Sequence, residues 1–592
     1  MKTTKKIIAV LLMTVIMIVA FAACARLGSD QKKEYEEPTD LRFNVTATTI
    51  ELIDDYTELC ANGEVLEYRL ENGDWQDSPL FEGLNPNTTY KIYIRVKGND
   101  KYKASKEHEQ EATTLKLSQN APNVTYEQAE KTITIQAAEN LEYSFDGGAT
   151  YSTENKHTYT DNGDKIINVR YKETEDKYSG EAQVIKVKIT DFYGGTGEEN
   201  NPYLILTEAH FIALKDGVSS NSYIKLMNDL DFTSKTFSPA KIGGCVFDGN
   251  NHKIENINFE NETDLNDVGV FANVGTVKNL TLNNVNVNYT CIDNSARPNI
   301  AILAGRAMNV ENCKVNGEIN INNDKSYGDM KIGGLVGSIT VNRSGKNRFN
   351  ITNSFADVKI KYDSQDGSDA RINVGGLLGY YINAIGDAKD SFVTISKCGA
   401  NVDIELSGLT STGYAAGLVG SNIMGKIENC YVTGQLNTSG RSGSMIIGGL
   451  ISQKAVRNSS DNDRYGNASI ESCYVAMDIY ADKTNQDIRM GGISSLMQAF
   501  EDRNVMNCFF AGSLLVSQGS KSAFMDSFAT SVLTKYSQEN CYHSDNLVAP
   551  VETQNTIAVS QETMKTVVWQ RDTLNFSADV WNFVDGQFPT LK

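Results

Sequence analysis

Ile332-Gly333-Gly334-Leu335-Val336-Gly337 returns as Val374-Gly375-Gly376-Leu377-Leu378-Gly379, as Ala415-Ala416-Gly417-Leu418-Val419-Gly420 and as Ile447-Gly448-Gly449-Leu450, with a weaker copy at Met490-Gly491-Gly492-Ile493. Degenerate copies, Val268-Gly269-Val270-Phe271 and Ile300-Ala301-Ile302-Leu303, come earlier. A second element keeps step with the first: Val310-Glu311-Asn312-Cys313, Ile351-Thr352-Asn353-Ser354, Ile395-Ser396-Lys397-Cys398, Ile427-Glu428-Asn429-Cys430, Ile470-Glu471-Ser472-Cys473 and Val505-Met506-Asn507-Cys508. A fixed order of short apolar segments joined by connections of uneven length marks stacked coils, because loop length is free while a strand that pairs with its neighbour is not. Each unit offers three short strands, for example 374–380, 393–398 and 400–406. The unit therefore predicts one turn of a right-handed parallel β-helix. The glycines suit close backbone approach, and Cys or Ser at one fixed place suits a small side chain stacked on its own equivalent.

Over roughly residues 194–592 this pattern resembles the GLUG-motif repeats of bacterial surface proteins. The stretch Phe247-Asp248-Gly249-Asn250-Asn251-His252-Lys253-Ile254 and the ending Trp581 to Leu591 belong to the same resemblance. Thr207 is placed to cap a short helix that carries Phe211 and Leu214 on one face and stops at Gly217. Terminal repeats need covering, and Trp569 and Trp581 are expected to plug the open end of the coils.

A shorter repeat precedes the coils. Leu66-Glu67-Tyr68, Asn72-Gly73, Trp75 and Arg95 return as Leu141-Glu142-Tyr143, Gly147-Gly148, Tyr151 and Arg170. Period-two alternation, with Tyr90, Ile92, Ile94 and Val96 on one face, predicts half-buried antiparallel strands. Leu84-Asn85-Pro86-Asn87-Thr88-Thr89-Tyr90 resembles the tyrosine corner of fibronectin type III domains, where the phenol satisfies backbone groups between two sheets. Residues 39–116 are thus expected to form a fibronectin type III-like sandwich and 117–190 a related second one. The fold class is all-β: two β-sandwich modules, then the parallel β-helix of 191–592.

The start of the chain concerns location. Lys2, Lys5 and Lys6 precede an apolar run that ends Phe21-Ala22-Ala23-Cys24, the layout of a secretory signal over 1–23. Small residues before a cysteine resemble the lipobox of bacterial lipoproteins, which implies lipid attachment at Cys24 and a tether over 24–38. The expected location is the extracellular face of the cell envelope, held to the membrane through that N-terminal lipid.

Composition narrows the function. Lys plus Arg is 55 and Asp plus Glu 74, a formal net charge of −19, which excludes nucleic acid as a partner. Of the ten cysteines, Cys313, Cys398, Cys430, Cys473 and Cys508, with Cys541, occupy the repeat position. Stacked side chains leave their coils as parallel vectors, which opposes the disulfide torsion and favours a buried thiol ladder over bridges. Metal binding is not expected, since no C-x-x-C occurs and His108-Glu109 lacks the second histidine of a zinc protease. His252 reads as a loop residue rather than a base. Parallel β-helices also include polysaccharide lyases and glycosidases, but the clustered acids with a basic partner that such catalysis needs are not evident. The expectation is a non-enzymatic adhesion or binding protein without cofactor, its partner an extracellular glycan or protein; the alternative is a β-helix polysaccharide lyase or glycosidase. Length variation concentrates between the two repeated elements, over 338–350, 380–394, 421–426 and 452–469. Stacking should bring these connections to one edge, where Arg343, Tyr380, Tyr381, Arg457, Arg464 and Tyr465 are the candidate binding residues, of types enriched at interfaces.

Overall fold

The computed structural model describes residues 33–34, 41–53, 64–260, 265–291, 297–323, 328–340, 348–364, 371–382, 392–421, 425–440, 442–454, 469–497, 504–519, 523–526, 537–547 and 556–592. Two compact units result, one ending at Val187 and one running from Lys188 to Lys592 together with Ala129–Lys131.

The first unit contains two pairs of three-stranded sheets. In the first pair, Phe43–Val45, Ile50–Leu52 and Leu80–Phe81 face Leu66–Leu70, Thr89–Val96 and His108–Thr113 across a core of Ile50, Leu66, Phe81, Ile92, Ile94 and Val96. The alternation read along 90–97 is real: Ile92, Ile94 and Val96 are buried while Lys91, Tyr93 and Arg95 are not. Tyr90 Oη accepts the N–H of Asn85 at 2.8 Å, which anchors the turn before the strand. The repeat between the two modules is physical as well as textual. Glu67 binds Arg95 at 2.7 Å and that guanidinium lies 4.0 Å from the Trp75 ring; Glu142 binds Arg170 at 2.6 Å, with Arg170 3.8 Å from Tyr151. Each arginine is held between a carboxylate and an aromatic face.

The second unit is a stack of parallel strands. One sheet holds 25 strands, and a second, of eight, runs from Asp267–Val268 through Met330–Gly333, Ile372–Gly375, Gly413–Ala416, Ser444–Gly448 and Asp487–Gly491 to Ala523–Asp526. Coil follows coil in register: Ile332 pairs with Val374, Val374 with Ala415, Ala415 with Ile447 and Ile447 with Met490. A coil has four strands rather than the three expected. The run 374–380 divides at Gly376-Leu377, so that Ile372–Gly375 and Leu378–Ile382 lie in different sheets. The second glycine of each pair makes this corner. A Cβ on Gly376 would collide with the carbonyl oxygen of Gly417 and the side chain of Val402.

The N-terminal end of the coils is closed by the short helix Glu208–Ile212, with Thr207 as N-cap and a following turn that stops at Gly217, φ 81°. Phe211 sits with Phe232, Phe237, Phe247 and Phe271 at centroid distances of 6.0, 6.2, 6.0 and 5.8 Å. Among the described residues no helix is long and apolar enough to cross a membrane.

Candidate functional site

Three adjacent columns run along one corner of the coils, each set by one residue of the second repeated element. The first residue is left-handed in every coil: Asn279, Asn312, Asn353, Lys397, Asn429, Ser472, Asn507 and Asn540 all have φ between 48° and 55°. Asparagine tolerates this region better than other side chains that bear a Cβ. It also links coils, since Asn312 donates to Asn279 Oδ1 at 3.0 Å, Asn353 to Asn312 at 3.2 Å and Asn540 to Asn507 at 2.8 Å. Sequence reasoning missed this column, although asparagine directly before the small residue was its visible sign.

The next residue turns inward. Cys313, Cys398, Cys430, Cys473, Cys508 and Cys541 are free and buried. Each thiol donates to the carbonyl two residues before it, as Cys430 does to Glu428 at 3.2 Å, and to a carbonyl of the preceding coil, as Cys430 does to Ile395 at 3.7 Å. Ser354 occupies the same place and donates to Thr352 at 2.8 Å. Burial pushes the Cys313 and Cys541 thiols up to about 12 and raises those of Cys430 and Cys508. These four thiols are held protonated at neutral pH, which makes them poor nucleophiles.

The third residue faces outward and is commonly aromatic: Phe355, Tyr431, Tyr474, Phe509 and Tyr542, with Gly399 intervening. Tyr431 and Tyr474 stack at 5.4 Å and 12°, and Tyr474 and Phe509 at 5.0 Å and 8°. On this flank lies the segment 556–592. Trp569 meets the edges of Phe509 and Tyr542 at 5.3 and 5.2 Å, Trp581 lies 5.8 Å from Tyr474, and Trp581 Nε1 donates to Asn429 Oδ1 at 3.3 Å. The expected role of Trp569 and Trp581 is therefore corrected. They do not plug the end of the coils; they cover its side, because the outward aromatic column offers the apolar surface there.

The connections between the two repeated elements do leave from equivalent places. Val336–Thr340, Leu378–Ile382, Val419–Ser421 and Ile451–Lys454 are paired in succession, as are Arg348–Thr352, Phe392–Ser396, Gly425–Glu428 and Ile470–Glu471. The connections thus begin and end along one edge. Arg343, Arg457, Arg464 and Tyr465 lie outside the described residues, as do Cys24 and the signal. Tyr380 and Tyr381 are strand residues within Leu378–Ile382, not loop residues. Alternation sends them to opposite faces: Tyr380 is half-buried, whereas Tyr381 is 0% exposed in the core, 6.5 Å from Phe349. Tyr381 is corrected from a binding candidate to an interior residue, its phenol raised by burial.

Three outward carboxylates of the long sheet are engaged between coils. Asp357 accepts from Asn316 and Asn401 at 3.0 and 2.8 Å, Asp403 from Gln435 at 2.9 Å, and Asp478 from Ser513 at 2.6 Å. His252 Nδ1 lies 3.0 Å from Asp229 at a turn. Among the described residues no group of three His, Cys, Asp or Glu side chains could hold a metal ion.

Comparison with known proteins locates the repeat. The family profile described as the GLUG motif matches residues 406–437, which run from the end of the strand Gly399–Leu409 into the strand Tyr431–Gly440. A protein of Evansella cellulosilytica, provisionally described as a Gly-rich membrane protein, is 27% identical over 345 residues, 45% of this chain and 38% of that protein. The chain thus spans well under half the length of this curated relative. Among solved structures, one from Bacteroides ovatus, provisionally described as an immunoglobulin A1 protease, aligns at 16% identity over 68% of this chain and 95% of that one, TM-score 0.35. A two-domain fibronectin type III segment of chicken tenascin aligns at 17% identity over 26% of this chain and 98% of that one, TM-score 0.17.

Proposed function

We propose that the chain is an exported, lipid-anchored binding protein without catalytic activity, in which fibronectin-like modules act as spacers and a GLUG-type β-helix presents its recognition surface to an extracellular glycan or protein. The observation that carries this reading is the register of the coils, in which the strands flanking connections of unequal length stay paired in succession. Variable loops on a rigid scaffold are where recognition is commonly built. The similarity to a protein described as a membrane protein agrees with attachment to an envelope, and Cys24 is the proposed lipid site. Asp357, Asp403 and Asp478 on the outer sheet face accept hydrogen bonds from neighbouring coils, which supports a structural use for these three.

An array of glycans and matrix proteins probed with the full chain carrying Cys24→Ala tests the reading. Replacing residues 455–468 by a short Gly-Ser turn should remove binding found there and leave strand content unchanged. New reducing ends or unsaturated products from any polysaccharide on the array would instead make the protein an enzyme.

A further inference from the structure

His210 lies where the first strand of the coils, Tyr203–Ile205, hands over to the helix Glu208–Ile212. Its backbone N–H donates to the capping oxygen of Thr207, and its ring turns back over the same bend. There the N–H of Leu206 donates to His210 Nδ1 at 3.2 Å. Nδ1 is therefore unprotonated and the ring proton sits on Nε2, which fixes the neutral tautomer. On its other side the ring brings Nε2 to 3.7 Å from a carboxylate oxygen of Glu130. His210 is buried, and the next residue, Phe211, is fully buried at the centre of the phenylalanine cluster that closes this end. A bend that depends on His210 thus also seats Phe211.

Among the described residues Glu130 is the charged side chain that faces this ring. It stands in a turn, Ala129–Lys131, that belongs to the coil unit. The Glu130 N–H donates to the Tyr193 carbonyl at 2.7 Å and Lys131 binds Asp191 at 2.9 Å, so the turn is held in place while the Glu130 carboxylate stays 65% exposed. The Tyr193 ring lies 6.5 Å from the imidazole. On the helix itself Glu208 is engaged by Lys235 at 2.9 Å and by the N–H of Asp231. The two nitrogens of His210 therefore face opposite demands: a backbone donor that only a neutral ring can satisfy, and a carboxylate that favours a charged one. Burial disfavours the charge and outweighs Glu130, which leaves the imidazole below its ordinary 6.5.

We infer that His210 is an acid-sensitive switch in the N-terminal cap of the coils: neutral, it holds the bend at Leu206; protonated, it gives up the Leu206 N–H and turns to Glu130. A proton arriving at Nδ1 replaces an acceptor by a donor, so two N–H groups face each other and the bond is lost. The charged ring finds its partner in Glu130, on the hydrated side. The bend then lacks one of its fastenings, and the helix that carries Phe211 gains freedom to open locally. Because folding favours the neutral ring, its contribution is complete above pH 6.5 and is lost as the pH falls below that value through the folded midpoint. His543 is buried too, but its Nδ1 meets the Thr556 hydroxyl at 2.9 Å, a group that can donate or accept, so protonation there breaks no bond.

Proton–carbon NMR of the full Cys24→Ala chain with labelled histidine, from about pH 8 to 4.5, gives the midpoint of His210. It should lie below 6.5, and Glu130→Gln should lower it further, since that carboxylate is what favours the charge. Hydrogen exchange, corrected for the intrinsic rate, should show Leu206 and the amides of 208–212 losing about fivefold in protection between about pH 7.5 and 4.5, the scale of one hydrogen bond. In His210→Gln the amide oxygen can accept from Leu206 at any pH, so protection there should no longer fall across that range. A midpoint at or above 6.5, a midpoint indifferent to Glu130→Gln, or an equal loss of protection in His210→Gln would overturn the switch. If His210→Gln fails to fold, the titrations of the parent chain and of Glu130→Gln still decide.

Discussion

In the N-terminal modules each sandwich brings its own pair of sheets, and in the first one residues from Leu41 to Val96 form a complete core. No coil of the second unit has a core to itself: one continuous cluster runs from Phe192 to Cys541. The two regions bury similar short strands, yet in the first a defect is confined to one module and in the second it is handed to the coils above and below. Stability in a solenoid is approximately a sum of nearest-neighbour terms, so the interfaces between coils matter more than any single coil.

The contrast can be broken most forcefully at the flank. Trp581 is 1% exposed and belongs to an aromatic cluster separate from the coil interior. Trp581→Ala should cost about 3 to 5 kcal/mol in the segment 556–592. Denaturant titration followed by tryptophan emission should then show an early transition that far-ultraviolet dichroism of the strands does not share; a single shared transition would show the flank and coils to be one cooperative unit.

High pH should separate the units next. Folding favours the protonated thiol of Cys541, so its contribution is complete below the ordinary value of 9.0 and disappears as pH rises towards about 12. Cys541, and Cys313 likewise, should each remove about 1.4 kcal/mol per pH unit across that window. All described free cysteines lie in the second unit. Melting between pH 8 and 12 should therefore lower the coil transition first, and Cys541→Ala should reduce the slope.

At Gly376, alanine should cost about 1 to 3 kcal/mol, because the added Cβ has no room and the strain passes to the neighbouring coil. Hydrogen exchange should increase at both 376–378 and 417–419; a change confined to one coil would contradict the shared-core picture. Arg95→Ala in the first module should cost only about 1 kcal/mol, the scale of a partly exposed ion pair with a cation–π contact, and leave the second unit's melting unchanged. Smallest is Cys430→Ser, under about 1 kcal/mol by equilibrium denaturation, since the hydroxyl can donate to Glu428 as Ser354 does to Thr352.

Much of the fold was legible because stacking constrains sequence. The Gly-Gly corner recurs since a Cβ on its second glycine would meet the carbonyl of its own equivalent one coil away, and the Cys position recurs as an inward place filled by Cys or Ser in most coils and by Leu280 in the coil before Cys313. The burial of the thiols followed from the same geometry. What was misread lies between neighbouring residues rather than along the repeat. Asn429-Cys430-Tyr431 contains a left-handed turn, an inward thiol and an outward ring, but only the middle residue was given a role. Had the recurrent aromatic been followed outward, the tryptophans would have been placed on the flank. Tyr381 was assigned to a loop because the strand Leu378–Ile382 continues past the glycines farther than the repeat pattern does.

The contact between Trp581 and Asn429 joins residues 152 positions apart, and this separation has a consequence in time. A chain delivered from its N-terminus can lay each coil on a finished template, beginning at the phenylalanine cluster around Phe211, because every new strand finds its partner one coil back. The clasp over the flank must wait until the last residues arrive, and it closes a large loop at an entropic cost that grows only slowly with length. Assembly should therefore proceed as a one-way zipper with a late latch. Pulsed hydrogen exchange during refolding should protect the coils before Trp581, and simultaneous protection would refute that order.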